Sequence, residues 1–145
     1  MVEIKGYEFE EGLYYDADHG WVRDDGELLT LGVTDFFQKL SGEIVFIELP
    51  AAGRKIEKGK PYSSIESGKW VGRLIAPLNG EVVEVNNELG DFPYLINEAP
   101  YGDGWIIRIR PENKGEDLKT LFTAGEEFAV FIQEEEKRIK EGNRD

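Results

Sequence analysis

One lysine, Lys69, stands out because of the residues around it. It lies between Gly68 and Trp70 within SSIESGKWVGRLIAPLNGEVVEVN, residues 63–86, where the pattern predicts the tip of a hairpin. A primary amine on a long flexible side chain, exposed at a turn, can be acylated by an enzyme and can then carry a group on a movable arm. Most lysines in exposed turns are only hydrated, so these residues alone leave both interpretations open.

The other motifs that could support chemistry are incomplete. The segment before Lys69 superficially resembles a phosphate-binding loop, but Ser63 replaces the first glycine and Trp70 replaces the hydroxyl residue that would bind Mg²⁺. His19 is the only histidine and cysteine is absent, so we expect no metal site, and His19 fits a structural or surface role. There is no G-x-S-x-G turn, and no pair stands out among 30 acidic residues. We therefore predict a protein that is not an enzyme.

Length and charge limit the classes of partner. A chain of 145 residues with 40% hydrophobic content can bury one core, so we expect a single domain over 1–145. The net charge of −13 disfavours nucleic acid and membrane surfaces as partners, and it favours either solubility or basic protein surfaces. Because the first residues do not resemble a secretory signal, we expect a cytoplasmic protein.

Short alternating runs bounded by turn residues predict a mostly β body over about residues 12–111. Within it, WVRDDGELLTLGV predicts a hairpin with strands at 21–23 and 27–33 and a turn at 24–26.

A short helix is predicted near 34–41, in TDFFQKLSG. Thr34 can accept a hydrogen bond from a free amide at the start, and Asp35 suits the positive end of the helix dipole. We expect Gly42 to end the helix in a left-handed conformation.

The segment from Gly42 to Trp105 repeats itself. GEIVFIE begins at Gly42 and GEVVEVN at Gly80, 38 positions later, and each is followed by a turn-rich connection and a second strand, PYSSI or WIIRIR. Two such units predict a flattened barrel or sandwich, a barrel-sandwich hybrid, built about a pseudo-twofold axis. Chance similarity between two β segments is the alternative. Lys69 falls between the copies, so its hairpin would project from one end.

The period becomes helical in the C-terminal region, about 115–140. Phe128, Phe131, Ile132 and Ile139 recur at helical spacing, which predicts a helix packed on the β body. We expect the last residues, 141–145, to be disordered.

Several long segments resemble the H protein of the glycine cleavage system. HGWV at 19–22 is similar to the family's His-Glu-Trp-Val, and GVTDFFQKLSGEIVFIELP at 32–50 follows its Gly-Ile-Thr-Asp to Glu-Leu-Pro segment. GEVVEVN and NEAPYGDGWIIRI, at 97–109, are similar as well. The likeness extends from about residue 12 to 131. The family's proline eight residues beyond its modified lysine falls on Pro77.

The resemblance implies a lipoyl carrier. In that family the lysine of Glu-Ser-Val-Lys-Ala carries lipoate, and the matching residues here are Glu66, Ser67, Gly68, Lys69 and Trp70. Lys69 would hold lipoate covalently, and its four neighbours would be recognised by modifying or partner enzymes. The implied partners are a pyridoxal-phosphate glycine decarboxylase, a folate-dependent aminomethyltransferase, dihydrolipoamide dehydrogenase, and a lipoate ligase or lipoyl transferase.

The flanks of Lys69 depart from the family's Val-Lys-Ala-Ala-Ser-Asp. Here Gly68 precedes the lysine, Trp70 follows it, and Arg73 replaces an acidic residue. For Trp70 we favour packing onto the barrel over contact with a partner or the arm. Biotin is not indicated, because its carriers place methionine on both sides of the lysine.

Three hypotheses follow. The chain is a carrier in glycine cleavage, an H-like lipoate-binding protein that serves sulfur oxidation with a heterodisulfide-reductase-like complex, or an unmodified binding module.

Overall fold

The computed structural model describes residues 1–142, which form twelve strands and five helices. The strands are β1 (Val2–Ile4), β2 (Tyr7–Phe9), β3 (Tyr14–Tyr15), β4 (Gly20–Asp24), β5 (Leu29–Val33), β6 (Ile44–Glu48), β7 (Lys55–Ile56), β8 (Pro61–Ser67), β9 (Val71–Ile75), β10 (Gly80–Val85), β11 (Ile107–Pro111) and β12 (Phe122–Thr123). The helices are α1 (Asp35–Ser41), α2 (Glu88–Asp91), α3 (Leu95–Glu98), α4 (Lys114–Leu118) and α5 (Glu126–Gly142).

The strands form a mostly β barrel-sandwich, which confirms the predicted fold class. One antiparallel sheet has the order β12-β3-β4-β5-β11-β10-β7, a second has the order β6-β8-β9, and β1 and β2 form a separate hairpin. Apolar residues of both larger sheets, such as Leu31, Ile65 and Ile109, meet in one buried cluster. Burying a large apolar side chain contributes about 1.5–3 kcal/mol of free energy, and this stabilises the contact between the sheets.

The internal repeat is visible in the strand pairing. In the first copy β6 pairs with β8, and in the second copy β10 pairs with β11. The register of β6 shifts between Ile44 and Phe46, and that of β10 shifts between Val82 and Glu84. These two bulges are again 38 positions apart. Corresponding residues therefore produce the same local distortion, which supports a true repeat over chance similarity.

The predicted hairpin and the short helix form close to the expected positions. The returning strand of the hairpin begins at residue 29, later than expected, because the amide of Asp25 donates to the carbonyl of Leu28 and extends the turn. At the start of α1 the hydroxyl of Thr34 accepts a hydrogen bond from the amide of Phe37, at 3.1 Å. Gly42 ends α1 with φ 83° and ψ −170°, so its φ is positive but its ψ is not that of the expected left-handed helical conformation.

The C-terminal helix α5 packs on the β body as predicted, with Phe128 and Ile132 fully buried. The structure also contains elements that the sequence patterns did not predict, among them β1 and β2 before the expected β body, α2 and α3 between β10 and β11, and β12 between α4 and α5. Residues 141–142 belong to α5, so the prediction of disorder is wrong for these two positions. Residues 143–145 lie outside the described part of the chain.

Candidate functional site

Lys69 lies at the tip of the hairpin formed by β8 and β9. The amide of Ser67 donates to the carbonyl of Trp70 at 2.8 Å, which closes the turn around Gly68 and Lys69. The Ser67 hydroxyl also accepts a hydrogen bond from the amide of Lys69, at 3.3 Å. Ser67 itself is buried and opposes Ile44 in the neighbouring strand, so its role in the structure is to hold the turn.

The Lys69 side chain is exposed and extends across the end of α1. A Cβ atom placed on Gly42 would lie 3.2 Å from Cε and 3.9 Å from Nζ of Lys69, so the stem of the lysine covers this glycine. Within residues 1–142 no carboxylate forms an ion pair with its ammonium group. The amine is therefore open to an incoming reagent.

A surface cleft of about 610 Å³ opens beside Lys69; we call it the hairpin cleft. Its walls come from the Lys69 hairpin, α1, the loop before β4 and the second half of α5. The lining residues are Ala17, Asp18, His19, Phe37, Leu40, Ser41, Lys69, Trp70, Arg73, Ile75, Glu135, Arg138 and Ile139. Four segments that are distant in the chain thus line one cleft together with Lys69.

Trp70 packs back into this cleft. Its ring contacts Phe37 edge to face, with 5.5 Å between ring centroids, and it covers Gly72, where a Cβ atom would overlap the indole. The side chain still exposes 38% of its surface. Trp70 therefore packs on the barrel, in line with the interpretation favoured from the sequence, and it also forms a wall next to the lysine.

His19 fastens α5 to the loop before β4. Its Nε2 atom lies 2.8 Å from Oε1 of Glu135, and its ring lies close to those of Phe36 and Phe131. Burial lowers the pKa of His19, although the hydrogen bond to Glu135 opposes this shift. The neutral imidazole then donates from Nε2, and its buried Nδ1 has no hydrogen-bond partner within residues 1–142. These contacts are those of a structural residue.

The remaining predicted site residues lie around the turn but do not face the cleft together. Glu66 is exposed on the outer face of the hairpin, where it opposes Phe46 and Val71 in the neighbouring strands. Gly68 is exposed, its φ lies outside the positive range, and a Cβ atom there would meet nothing within 4 Å. Glycine is therefore not required at position 68 by this backbone.

The sequence interpretation missed the contributions of α1 and α5 to the site. Phe37, Gly42, Arg138 and Ile139 all reach the surroundings of Lys69, but none is near it in the chain. Gly42 and Gly72 carried a partial signal, because glycine often marks a place where another group lies on the bare backbone.

In the described part of the chain, no three histidine, aspartate or glutamate side chains come together as a metal-binding group. None of the helices within residues 1–142 is both long and apolar enough to span a membrane.

Comparisons with known proteins show similarity to one family. Residues 13–135 match the family model described as "Glycine cleavage H-protein". The chain is 46% identical over 135 residues to a "Probable glycine cleavage system H protein" of Pyrococcus abyssi, covering 92% of this chain and 98% of the relative. It is 45% identical over 123 residues to the "Glycine cleavage system H protein" of Bacillus licheniformis, covering 85% and 95%.

A solved structure agrees with this match. The crystal structure of a glycine cleavage system H protein from Mycobacterium marinum aligns with a TM-score of 0.72 and 34% identity. The alignment covers 80% of this chain and 93% of that chain.

Proposed function

Because this chain belongs to the glycine cleavage H-protein family, we propose that Lys69 is the residue on which it carries lipoate. The protein is a lipoyl carrier of the glycine cleavage system, and the relatives that it matches are named glycine cleavage system H proteins. Membership of the family does not by itself identify the attachment residue, its contacts or the individual partners of this chain.

The exposed and unpaired amine at the hairpin tip is the observation that carries the assignment to Lys69. Among residues 1–142 its ammonium group has no ion-pair partner, and its carbon stem lies over the bare backbone of Gly42. The amine can therefore react without first breaking an ion pair to the protein. A buried or paired lysine would have to be released before it could be acylated.

The scaffold is suited to hold a movable group. The turn is fixed by the two hydrogen bonds of Ser67, and the hairpin stands on a sheet that packs into the barrel core. When bound, lipoate supplies a redox-active pair of sulfur atoms. Tethering this group on a flexible stem raises its effective concentration at each partner within reach. The rigid chain fixes the position from which the stem extends.

We propose the partners that glycine cleavage requires. They are a pyridoxal-phosphate glycine decarboxylase, a folate-dependent aminomethyltransferase and dihydrolipoamide dehydrogenase, with a lipoate ligase or lipoyl transferase that modifies Lys69. The chain itself acts as a non-catalytic carrier subunit. We place this cycle in the cytoplasm.

The sulfur-oxidation hypothesis receives no support from the comparisons. The relatives from Pyrococcus abyssi and Bacillus licheniformis are both named as glycine cleavage system H proteins. The altered flanks of Lys69 have a structural explanation instead, because Trp70 and Gly72 fit each other in the hairpin.

Intact-mass measurement tests the assignment. Coexpression with a lipoate ligase is expected to add the mass of one lipoyl group to the wild-type chain and none to Lys69→Arg. Lys55→Arg, at another exposed position, serves as the control and should gain the same mass as the wild type. If the wild type gains no mass, or if Lys69→Arg is still modified, the assignment is wrong and the unmodified binding module or another lysine takes its place.

A further inference from the structure

A pair of aromatic side chains is exposed between α2 and α3. Phe92 exposes 46% and Tyr94 exposes 37% of its surface, and their rings contact each other edge to face with 6.0 Å between centroids. Pro93 lies between them and restricts the backbone. We call Phe92, Pro93 and Tyr94 the aromatic patch. Aromatic side chains of this size are enriched in the contact surfaces of protein complexes.

The aromatic patch is held on a rigid backbone. Leu89, three residues before Phe92, and Ile96, two residues after Tyr94, are fully buried in the core between the sheets. The amide of Leu95 donates to the carbonyl of Phe92 at 3.1 Å. The two rings are therefore presented in fixed positions, which lowers the entropy cost of binding to them.

Two glutamates flank the aromatic patch. The amide of Phe92 donates to the carbonyl of Glu88 at 2.8 Å, and the amide of Glu98 donates to the carbonyl of Tyr94 at 3.0 Å. Residues four positions apart in such a turn are neighbours on the surface. Each glutamate therefore lies next to one of the two aromatic residues.

The charge around the aromatic patch is negative and unpaired. Glu88, Asp91 and Glu98 are exposed, and within residues 1–142 none of them has a basic group within ion-pair distance. The sequence contains no lysine or arginine from residue 74 to residue 107. An apolar centre with unpaired carboxylates at its rim is complementary to an apolar pocket flanked by lysine or arginine.

A second copy of this chain does not fit this surface. A symmetric dimer formed through the aromatic patch would bring the carboxylates of one copy against the same carboxylates of the other. Like charges that meet at a contact repel each other, and no basic residue of the same segment offsets them. The charges therefore favour a different protein as the occupant.

The aromatic patch lies beside the backbone that supports Lys69. The amide of Asn97 donates to the carbonyl of Tyr94 at 2.9 Å, so Asn97 is one turn beyond the patch. The Asn97 side chain donates to the carbonyl of Gly42 at 2.8 Å, and the Lys69 stem lies over Gly42. Neither Phe92 nor Tyr94 belongs to the hairpin or lines the hairpin cleft. A protein that binds the patch is therefore near the root of the arm, and its contact with the carrier does not depend on the arm.

We propose that the aromatic patch is a docking surface for the glycine decarboxylase, an inference that rests on the proposed function. Decarboxylation of glycine releases CO₂ and leaves the electron pair of the broken bond on carbon, where water would protonate it. A site that protects such a carbon has to close around the arm that enters it. The body of the carrier must then be held against the enzyme, and the rigid patch with its acidic rim supplies a contact that does not move with the arm.

Binding of the unmodified chain to the decarboxylase tests the proposal, because docking through the patch does not require lipoate. The full-length chain is immobilised, and association and dissociation of purified glycine decarboxylase are followed by biolayer interferometry. Phe92→Ser and Tyr94→Ser are each expected to raise Kd about tenfold, mainly through faster dissociation. Val130→Ser, which removes a valine that is 53% exposed on α5, is the control and should keep the wild-type Kd.

The acidic rim is tested through the association rate. Glu88→Gln combined with Glu98→Gln is expected to lower the association rate constant about fivefold and to weaken its dependence on salt, because rim charges act while the partner approaches. Glu127→Gln combined with Glu134→Gln changes the net charge by the same amount at exposed positions of α5. This control should keep the association rate constant within about twofold of the wild type.

Thermal unfolding of each variant establishes that it is folded, and Tyr94→Ser carries the test alone if Phe92→Ser does not fold. All variants should keep the wild-type rate of acylation by a lipoate ligase, because they leave Lys69 and its hairpin unchanged.

The outcomes are distinct. The inference is wrong if the wild-type chain does not bind the decarboxylase, if the patch variants keep the wild-type Kd, or if Val130→Ser weakens binding as much as they do. It is also wrong if the patch variants bind the decarboxylase normally and instead bind the aminomethyltransferase less tightly, are acylated more slowly, or lose a dimer seen in sedimentation. Absence of any lipoyl mass gain in the wild type overturns the proposed function instead. That result comes from a separate measurement, so the two failures are distinguishable.

Discussion

The indole of Trp70 lies on the bare backbone of Gly72, where a Cβ atom would overlap the ring. These two residues are both departures from the family pattern around the modified lysine, and the structure shows that they fit each other. The aromatic ring beside Lys69 is accommodated because position 72 has no side chain.

A double-mutant cycle should reveal this dependence. Gly72→Ala is expected to lower the free energy of unfolding by about 1–3 kcal/mol, because the new methyl group must displace the Trp70 ring from Phe37. In a Trp70→Ala background the same change should cost less than about 0.5 kcal/mol. Urea denaturation measures both values. Equal costs in the two backgrounds would show that the residues are not coupled.

Two glycines near Lys69 are expected to respond differently to alanine. Gly42 has φ 83°, which disfavours a side chain, so Gly42→Ala should cost about 1–3 kcal/mol of stability. Gly68 has no such conformation and no neighbour at the Cβ position, so Gly68→Ala should change stability by less than about 0.5 kcal/mol.

The source of the Gly42 effect can be separated by a second change. The neighbouring atom at position 42 belongs to the flexible Lys69 stem, which can move aside. Lys69→Ala should therefore not rescue Gly42→Ala in thermal unfolding. Full rescue would show that the cost comes from steric contact and not from the backbone.

Local patterns predicted much of the fold because their causes are local. The Thr34 cap is made by an amide three residues away, and the repeat at Gly42 and Gly80 follows from similar strands with the same bulge. The β1–β2 hairpin was missed because its strands are only three residues long, too short for alternation to identify them.

The sequence indicated Lys69 as the candidate residue, but it did not indicate the residues that line the hairpin cleft. The residues beside Lys69 singled it out but left a hydrated and an acylated lysine both open, and the resemblance to a family favoured the acylated one. The walls of the hairpin cleft depend on contacts between distant segments, such as the pair of His19 with Glu135, which are 116 positions apart. No spacing in the chain indicates such a pair, because it forms only when α5 packs on the barrel.

Asn97 stabilises the backbone around Gly42, over which the Lys69 side chain lies. Its Oδ1 atom accepts a hydrogen bond from the amide of Ile44, and its Nδ2 atom donates to the carbonyl of Gly42, both at 2.8 Å. Asn97→Ala would leave both backbone groups without this partner, so we expect a loss of about 1–3 kcal/mol and faster amide hydrogen exchange at Ile44. Unchanged exchange at Ile44 would contradict this role. Asn87→Ala, at an exposed asparagine, is the matched control.

Asp16 should make stability depend on pH. Burial raises the pKa of Asp16 to about 6, although its carboxylate accepts hydrogen bonds from the amides of Gly20 and Asp18. The sign follows from linkage: a raised pKa in the folded state means that the contribution of this carboxyl is fully present below about pH 4 and is lost as the pH rises through about 6.

Asp16→Asn tests this expectation because the amide oxygen can accept the same hydrogen bonds without a buried charge. The variant should exceed the wild type in free energy of unfolding by about 1–3 kcal/mol at pH 8, and the difference should vanish near pH 4. Chemical denaturation at pH 4, 6 and 8 measures it, with the exposed Asp91→Asn as the control. A variant that is less stable than the wild type at pH 8 would show that the charged form of Asp16 is needed by the fold, since the ionised carboxylate would then bind the two amides better than it suffers from burial.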